Sequence, residues 1–422
     1  MRIPISISKK MDEGKDNDLL MERKLIRIPR DLRELADIEK YEYVTLMTAK
    51  GEKISLIVDS AYADDAKANP LTAYLTSEVY NLLIANTKDH DIEQCEAITL
   101  GCDPELIIVD RTDRSIFEAQ KVFRKWNPVG SDGTLLELRP LPSVDVDVVV
   151  RNLFIQMAEA RRVLSEGRKL NGNKFDGQNY AILARSYYAP PVSLPTNRTI
   201  GPQTAGFHVH FGLPKPLLEW NKVHVLRQIT TILDYYVGVP SILIEGEHDI
   251  ARRTQTSGAY GKPGDFRPGN ITMEYRVPGG ALMKSPETAI GLLSVAGLVM
   301  DDVISRIKRA TNNYENLNLV GTDGEMRKLY PDVPTGLKII ETICSPSITP
   351  ARNEMDRIRG GFEKMVGYAK RAENINRFLD LVSNPKNISE FVEQNWRVFY
   401  EQRQQRAVDI LQHASASSAI SG

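Results

Sequence analysis

Residues 206–212 read GFHVHFG. Phe207, Val209 and Phe211 alternate with His208 and His210, and a period of two puts the three apolar side chains on one face of a strand and both imidazoles on the other. On a helix the two histidines would point about 200° apart. Three other segments repeat the pattern. AITLGCDPELIIVD (97–110) carries Asp103 and Glu105 around Pro104, TLLELRPL (134–141) carries Glu137 and Arg139 around Leu138, and ITMEYRVP (271–278) carries Glu274 and Arg276 around Tyr275. Each reads as a strand with one polar and one mostly apolar face. Polar residues inside the strands argue against a fully buried parallel sheet. The alternation of strands with helical stretches leaves α/β and α+β both open.

Working outward, the run YEYVTLMTAKGEKISLIVD (41–59) predicts two strands around a Gly51 turn. LTSEVYNLLIAN, from Leu75, predicts a helix capped by Thr76 or Ser77. Residues 1–30 are charge-rich and weakly periodic and read as an arm. Helical spacing predicts helices over 146–167, 217–237 and 286–310, with Asp145 and Asp147 at the start of the first, where acid suits the helix dipole. RSIFEA (114–119) reads as a strand paired with 97–110. After 311 the signals are helical and polar, ending in the low-complexity tail ASASSAISG. The expected division is an N-terminal arm and small α+β region (1–92), a dense core (93–310) and a C-terminal helical extension with a disordered tail (311–422).

The chain has 422 residues, 42% hydrophobic and 26% charged, enough to bury a large core. With 54 Lys plus Arg against 55 Asp plus Glu, the net charge is −1, which leaves no strong field for nucleic acid or an anionic membrane. Cys95, Cys102 and Cys344 form no disulfide framework and no C-x₂-C zinc spacing, so a reducing compartment is expected. The N-terminus lacks a signal-peptide core, and the longest apolar stretch, Ala289 to Met300, is shorter than the roughly 20 residues that span a bilayer. The reading is a cytoplasmic protein with no specific nucleic-acid or membrane partner.

If the four strands share a sheet, its polar face gathers four carboxylates, two imidazoles and two guanidiniums. Such carboxylates raise one another's pKa values or bind cations. Oxygen ligands with some imidazole suit Mg²⁺ or Mn²⁺, and guanidiniums match phosphate or carboxylate. Set against this, polar residues alternating on one strand ordinarily mean a solvent-exposed face. His224, His248 and His413 stand alone. Gly130-Ser131-Asp132-Gly133 reads either as a plain turn or as a loop able to bring Asp132 to a metal. Arg252, Arg253 and YGKPGDFR (260–267) form a basic, glycine-rich approach to the last strand, able to meet phosphates closely or to serve as a surface loop. No G-x₄-G-K-[ST] and no strand-borne G-x-G-x-x-G occurs, so a nucleotide site is built otherwise.

In order, DPE (103–105), GSDGTLLELRP (130–140), GFHVHFG (206–212), RR (252–253), YGKPGDFR (260–267) and MEYRVP (273–278) resemble the glutamine-synthetase-like carboxylate–amine ligases (the amidoligases), and most closely the phage-associated COOH–NH2 ligase type 2 family. The likeness spans about 93–310. It implies an α+β fold, a curved antiparallel sheet forming a half-barrel with helices on its outer face, and ATP with Mg²⁺ or Mn²⁺ on the concave side. It implies metal ligation by Asp103 (where the family has Glu), Glu105, Glu137, His208 and Glu274. His210, Arg253, Lys262 and Arg267 are implied at the nucleotide phosphates, with Arg276, Arg267 and Glu137 at the reacting centre. The implied reaction phosphorylates a substrate carboxylate, small-molecule or peptide, and an amine then attacks the acyl phosphate. The alternatives are a virion or assembly protein retaining the fold as a binding module, with homo-oligomer or assembly contacts through its extensions, and a metal-dependent phosphotransferase or hydrolase. The place of action is the host cytoplasm if the chain is phage-encoded, or the virion.

Overall fold

The computed structural model describes residues 2–13, 22–49, 53–83, 89–91, 93–94, 98–166, 177–191, 200–254, 261–384 and 388–398. Seven strands come first: β1 (Arg2–Ile7), β2 (Leu25–Ile28), β3 (Tyr43–Met47), β4 (Lys53–Ser60), β5 (Ala73–Leu75), β6 (Asp89–Asp91) and β7 (Glu93–Gln94). They form a mixed sheet in the order β6-β1-β5-β2-β4-β3-β7. The expectation of an N-terminal arm is therefore corrected. Alternate residues Ile3 and Ile5 of β1, and Ile26 and Ile28 of β2, are buried with Val44, Leu46, Leu56 and Val58 in one core. Each strand is too short to stand out against charged neighbours, and only pairing supplies the apolar face. β3 and β4 form the expected hairpin; Gly51 lies outside the described residues. The helix expected from Leu75 shrinks to Ser77–Tyr80, where Thr76 accepts from Val79 N at 3.3 Å as a cap.

The second sheet uses β8 (Thr99–Asp110), β9 (Ile116–Phe117), β10 (Val129–Asp132), β11 (Leu135–Leu138), β12 (Tyr180–Leu183), β15 (Phe207–Gly212), β16 (Phe266–Pro268) and β17 (Thr272–Tyr275), while β13 (Tyr187–Tyr188) and β14 (Gln203–Thr204) pair separately. Its path runs β10-β11-β8-β15-β17-β16, with every pair antiparallel. The fold is α+β, with the sheet curled into a half-barrel and helices against its outer face. That outer face carries Leu100, Cys102, Leu106, Leu136, Leu138, Phe207, Val209, Phe211, Met273 and Tyr275, all buried. Each buried Phe or Val of this kind stabilises by about 1.5–3 kcal/mol, so the period-two pattern fixes which face turns inward.

Helices Val146–Ser165, Pro286–Ala310 and Tyr368–Ser383 share that core. Asp145 caps the first, accepting from Asp147 N, and Ser285 opens the second with a capping box to Thr288. Pro286–Ala310 is long and apolar enough to cross a membrane by length and composition, and 89% of its most apolar window is buried inside the protein. The expected helix over 217–237 is interrupted by a π-turn at Asp234–Gly238. Cys95 and the low-complexity tail lie outside the described residues.

Candidate functional site

Strand register brings the motif residues together. His208 pairs with Asp103, His210 with Glu274 and with Gly101, Glu137 with Glu105, and Arg267 with Glu274. Paired residues of an antiparallel sheet share a face. Asp103, Glu105, Glu137, His208, His210, Arg267 and Glu274 therefore all stand on the side opposite Cys102, Val209 and Tyr275. The same face becomes apolar toward the other end of β8, where Ile107, Val109, Leu135, Ala181, Leu183 and Ala205 pack together. A polar basin thus adjoins an apolar plug.

The contacts are close. His210 Nε2 lies 3.1 Å from Asp103 Oδ1, and His208 Nδ1 lies 3.4 Å from the same oxygen and 3.6 Å from Glu274 Oε1. Arg276 Nε is 3.2 Å from Glu274 Oε1, and Arg267 pairs with Glu274 Oε2. Glu105 Oε2 accepts from Gly206 N at 2.7 Å, while Glu137 pairs with Arg139. Burial pushes the Asp103 carboxyl up, but His210 and His208 outweigh it and hold it well below the ordinary range. Burial, then Asp103, push Glu137 up to about 8 against the pull of Arg139. For His208, burial lowers basicity, and Asp103, Glu105 and Glu274 raise it to a net increase.

Asp103 Oδ1 and Glu274 Oε1 are buried, yet no donor among the described residues is aligned to hydrogen-bond either. Imidazole and guanidinium nitrogens stand at ion-pair distance from both oxygens, but without aligned hydrogen bonds the oxygens keep lone pairs open to a metal ion. Ligand atoms of Asp103, His210 and Glu274 all lie within 4.8 Å of one another. The donor set, two carboxylates and one imidazole, fits a hard divalent ion. His210, expected at the phosphates, completes this cluster, whereas His208, expected as a ligand, lies beside it.

A cavity of about 480 Å³ opens over the basin, lined by Asp103, Asp132, Glu137, Arg139, His210 and Arg267 among others. Larger cavities, of about 610–670 Å³, lie elsewhere but gather no comparable set of carboxylates and imidazoles. Arg253 does not line the cavity. It is buried, with Nη1 3.3 Å from Ile343 O and Nη2 3.4 Å from Glu245 Oε2, so its expected phosphate role is corrected. Its neighbour Arg252 shares the space over Gly206 with His208: a methyl on Gly206 would lie 2.2 Å from His208 Nε2 and 3.1 Å from Arg252 Nη2. Arg252 also donates to Val277 O at 2.5 Å and Arg276 O at 2.9 Å, bracing the end of β17. Lys262 sits partly buried on the turn before β16, where its charge acts on Cys344, and it is not among the residues lining the cavity.

The turn itself is anchored. Gly264 N donates to Asp234 Oδ2 at 2.6 Å, and Tyr275 OH to Asp234 Oδ1 at 2.9 Å. Burial pushes Asp234 up to about 7. Four residues of the site carried no motif signal: Lys24, Lys125 and Trp126 of the cavity wall, and Asp234 beneath the turn. Only a contact across sequence distance reveals them.

Residues 199–373 match the family described as phage phiEco32-like COOH.NH2 ligase-type 2, and the resemblance read from the motifs holds over that stretch. The match takes in His208, His210, Arg267, Glu274 and Arg276 and continues into the C-terminal helices. Asp103, Glu105 and Glu137 lie outside it. Among solved structures, a bifunctional glutathione synthetase from Pasteurella multocida is similar at 10% identity and a TM-score of 0.39, over 71% of this chain and 50% of that one. The chain thus spans about half that relative's length. A glutamate–cysteine ligase from Francisella tularensis in complex with AMP shares 13% identity, TM-score 0.36, over 73% and 85% of the two chains. A novel glutamine synthase homolog shares 10%, TM-score 0.33, over 91% and 92%. No curated protein sequence matches the chain.

Proposed function

We propose that the protein is an ATP-dependent carboxylate–amine ligase that activates its carboxylate as an acyl phosphate. The observation that carries this is the convergence of Asp103, His208, His210 and Glu274 with Arg267 and Arg276 on one polar sheet face, under a cavity large enough for a small substrate. Asp103, His210 and Glu274 are the residues that would hold Mg²⁺ or Mn²⁺, with Glu105 and Glu137 at hand on the adjoining strands. Such an ion supplies charge neutralisation for phosphate oxygens.

The chain's own groups do the rest. A carboxylate is a poor electrophile, and attack of its oxygen on the γ-phosphorus expels ADP and leaves a carbonyl carbon with a good leaving group. The amine nitrogen then attacks that carbon, phosphate departs, and the amine proton goes to solvent or phosphate. Arg267 and Arg276 flank Glu274 on the basin side, where guanidiniums orient anionic oxygens and stabilise the charge that develops. His208, held by Asp103 and Glu274, keeps those carboxylates in place. Cys102 faces the core, and burial pushes its thiol well above the ordinary range, which suits it poorly to act as a nucleophile.

The test is product analysis with Mg²⁺ or Mn²⁺ against panels of carboxylates and amines. ADP release that requires both partners is expected. AMP with pyrophosphate would indicate an adenylate route and contradict the reading. Metal and ATP binding with no turnover on any pair would instead favour a virion or assembly module.

A further inference from the structure

The cavity over the basin is not built by the ligase-like sheet alone. Lys24, Tyr43 and Ile57 of the N-terminal sheet line it as well. The two sheets are locked where they meet. Ser143 Oγ donates to Lys53 O at 2.7 Å, Ser55 N to Pro142 O at 3.3 Å, and Tyr43 OH to Ile271 O at 3.4 Å. Gly212 leaves room for the Tyr43 ring, since a methyl there would lie 2.5 Å from Tyr43 Cζ. Lys24 is held at the start of β2 by the bond from Ile57 N to Lys24 O at 2.9 Å. Its neighbour Arg23 is satisfied by both oxygens of Glu78, at 2.5 Å each.

The Lys24 side chain makes no hydrogen bond or ion pair among the described residues. The carboxylates nearest in the cavity are already engaged, Asp103 with the two histidines and Glu137 with Arg139. The lining holds four cations (Lys24, Lys125, Arg139 and Arg267) against three carboxylates (Asp103, Asp132 and Glu137). Any divalent ion adds positive charge. A partly buried ammonium in such a wall calls for an anionic ligand.

We infer that Lys24 binds an anionic oxygen group of a substrate, a carboxylate or a phosphate, so that the N-terminal sheet is a wall of the binding site rather than an appendage. This rests on the ligase reading above. The test compares the full chain with Lys24→Met, which keeps the stem and removes the charge, and Lys24→Arg, which restores it; melting curves confirm that each variant folds.

Calorimetry measures MgADP binding, and steady-state assays with hydroxylamine measure KM for acetate, succinate and glutamate. If the group is phosphate, Lys24→Met weakens MgADP binding about tenfold or more, the scale of a charge-assisted bond. If it is carboxylate, MgADP affinity is unchanged and KM rises about tenfold for the acid that turns over. Lys24→Arg recovers most of either loss. Wild-type values for Lys24→Met in both arms overturn the inference and leave the ligase reading standing. A wild-type chain that binds no MgADP overturns both.

Discussion

Gly206→Ala tests the packing that holds His208. The added methyl would lie 2.2 Å from His208 Nε2 and 2.6 Å from its Cδ2, with Arg252 Nη2 at 3.1 Å. Ordinary contact is about 3.5 Å or more, so the imidazole must move by roughly an ångström. On the other side Nδ1 is 3.4 Å from Asp103 and 3.6 Å from Glu274, so it can close by only about half an ångström before reaching hydrogen-bond contact. Gly206 N must also keep its 2.7 Å bond to Glu105. Overpacking of this kind costs about 1–3 kcal/mol, and displacing groups that orient metal ligands typically costs about 10–100-fold in metal affinity. Mn²⁺ binding by electron paramagnetic resonance, with a melting curve of the same sample, reads both effects. A modest fall in Tm with a loss of Mn²⁺ affinity in that range is expected. Wild-type Mn²⁺ affinity in a folded Gly206→Ala protein would refute the argument that bare backbone positions the cluster.

Three other outcomes follow from the same geometry. Asp103→Asn and Glu274→Gln each remove a candidate ligand oxygen and should raise the Mn²⁺ Kd at least tenfold while circular dichroism stays unchanged. Arg276→Ala should abolish ligase turnover with little change in Tm, because its guanidinium faces the basin beside Glu274; a fully active variant would remove Arg276 from the reacting centre. Asp234, pushed up to about 7 by burial, binds a proton that the unfolded chain has released above about pH 4. Its stabilising contribution is therefore present below about pH 4 and lost as pH rises through about 7, by roughly 4 kcal/mol at most. Asp234→Asn should flatten that slope in pH-dependent urea melts, and an unchanged slope would show that the titration belongs elsewhere.

The second sheet was legible because its strands alternate strictly. His208 and His210 around Val209, or Glu274 and Arg276 around Tyr275, can share a face only on a strand, and the register then aligns them. The N-terminal sheet was hidden because β1, β2 and β5 bury only two or three residues each and are joined by charged segments. Arg253 illustrates a different limit. Two adjacent arginines carry the same motif, and only packing decides that Arg252 turns to the Arg276 and Val277 carbonyls while Arg253 turns to Glu245. The helix expected from Leu75 lost its first residue to β5, where pairing with β1 outweighs local propensity. The family match stops short of Asp103, Glu105 and Glu137, although the sheet places them against residues inside it.

The central claim is an acyl phosphate formed from the substrate carboxylate, and oxygen transfer tests it directly. A carboxylate labelled with ¹⁸O is incubated with the full chain, ATP, Mg²⁺ or Mn²⁺ and hydroxylamine, which is small enough to replace the natural amine. The account predicts ADP, a hydroxamate, and inorganic phosphate carrying one ¹⁸O from the carboxylate, because the attacking oxygen leaves with the phosphoryl group. Hydroxamate formed alongside unlabelled phosphate, or label recovered in AMP, would contradict it.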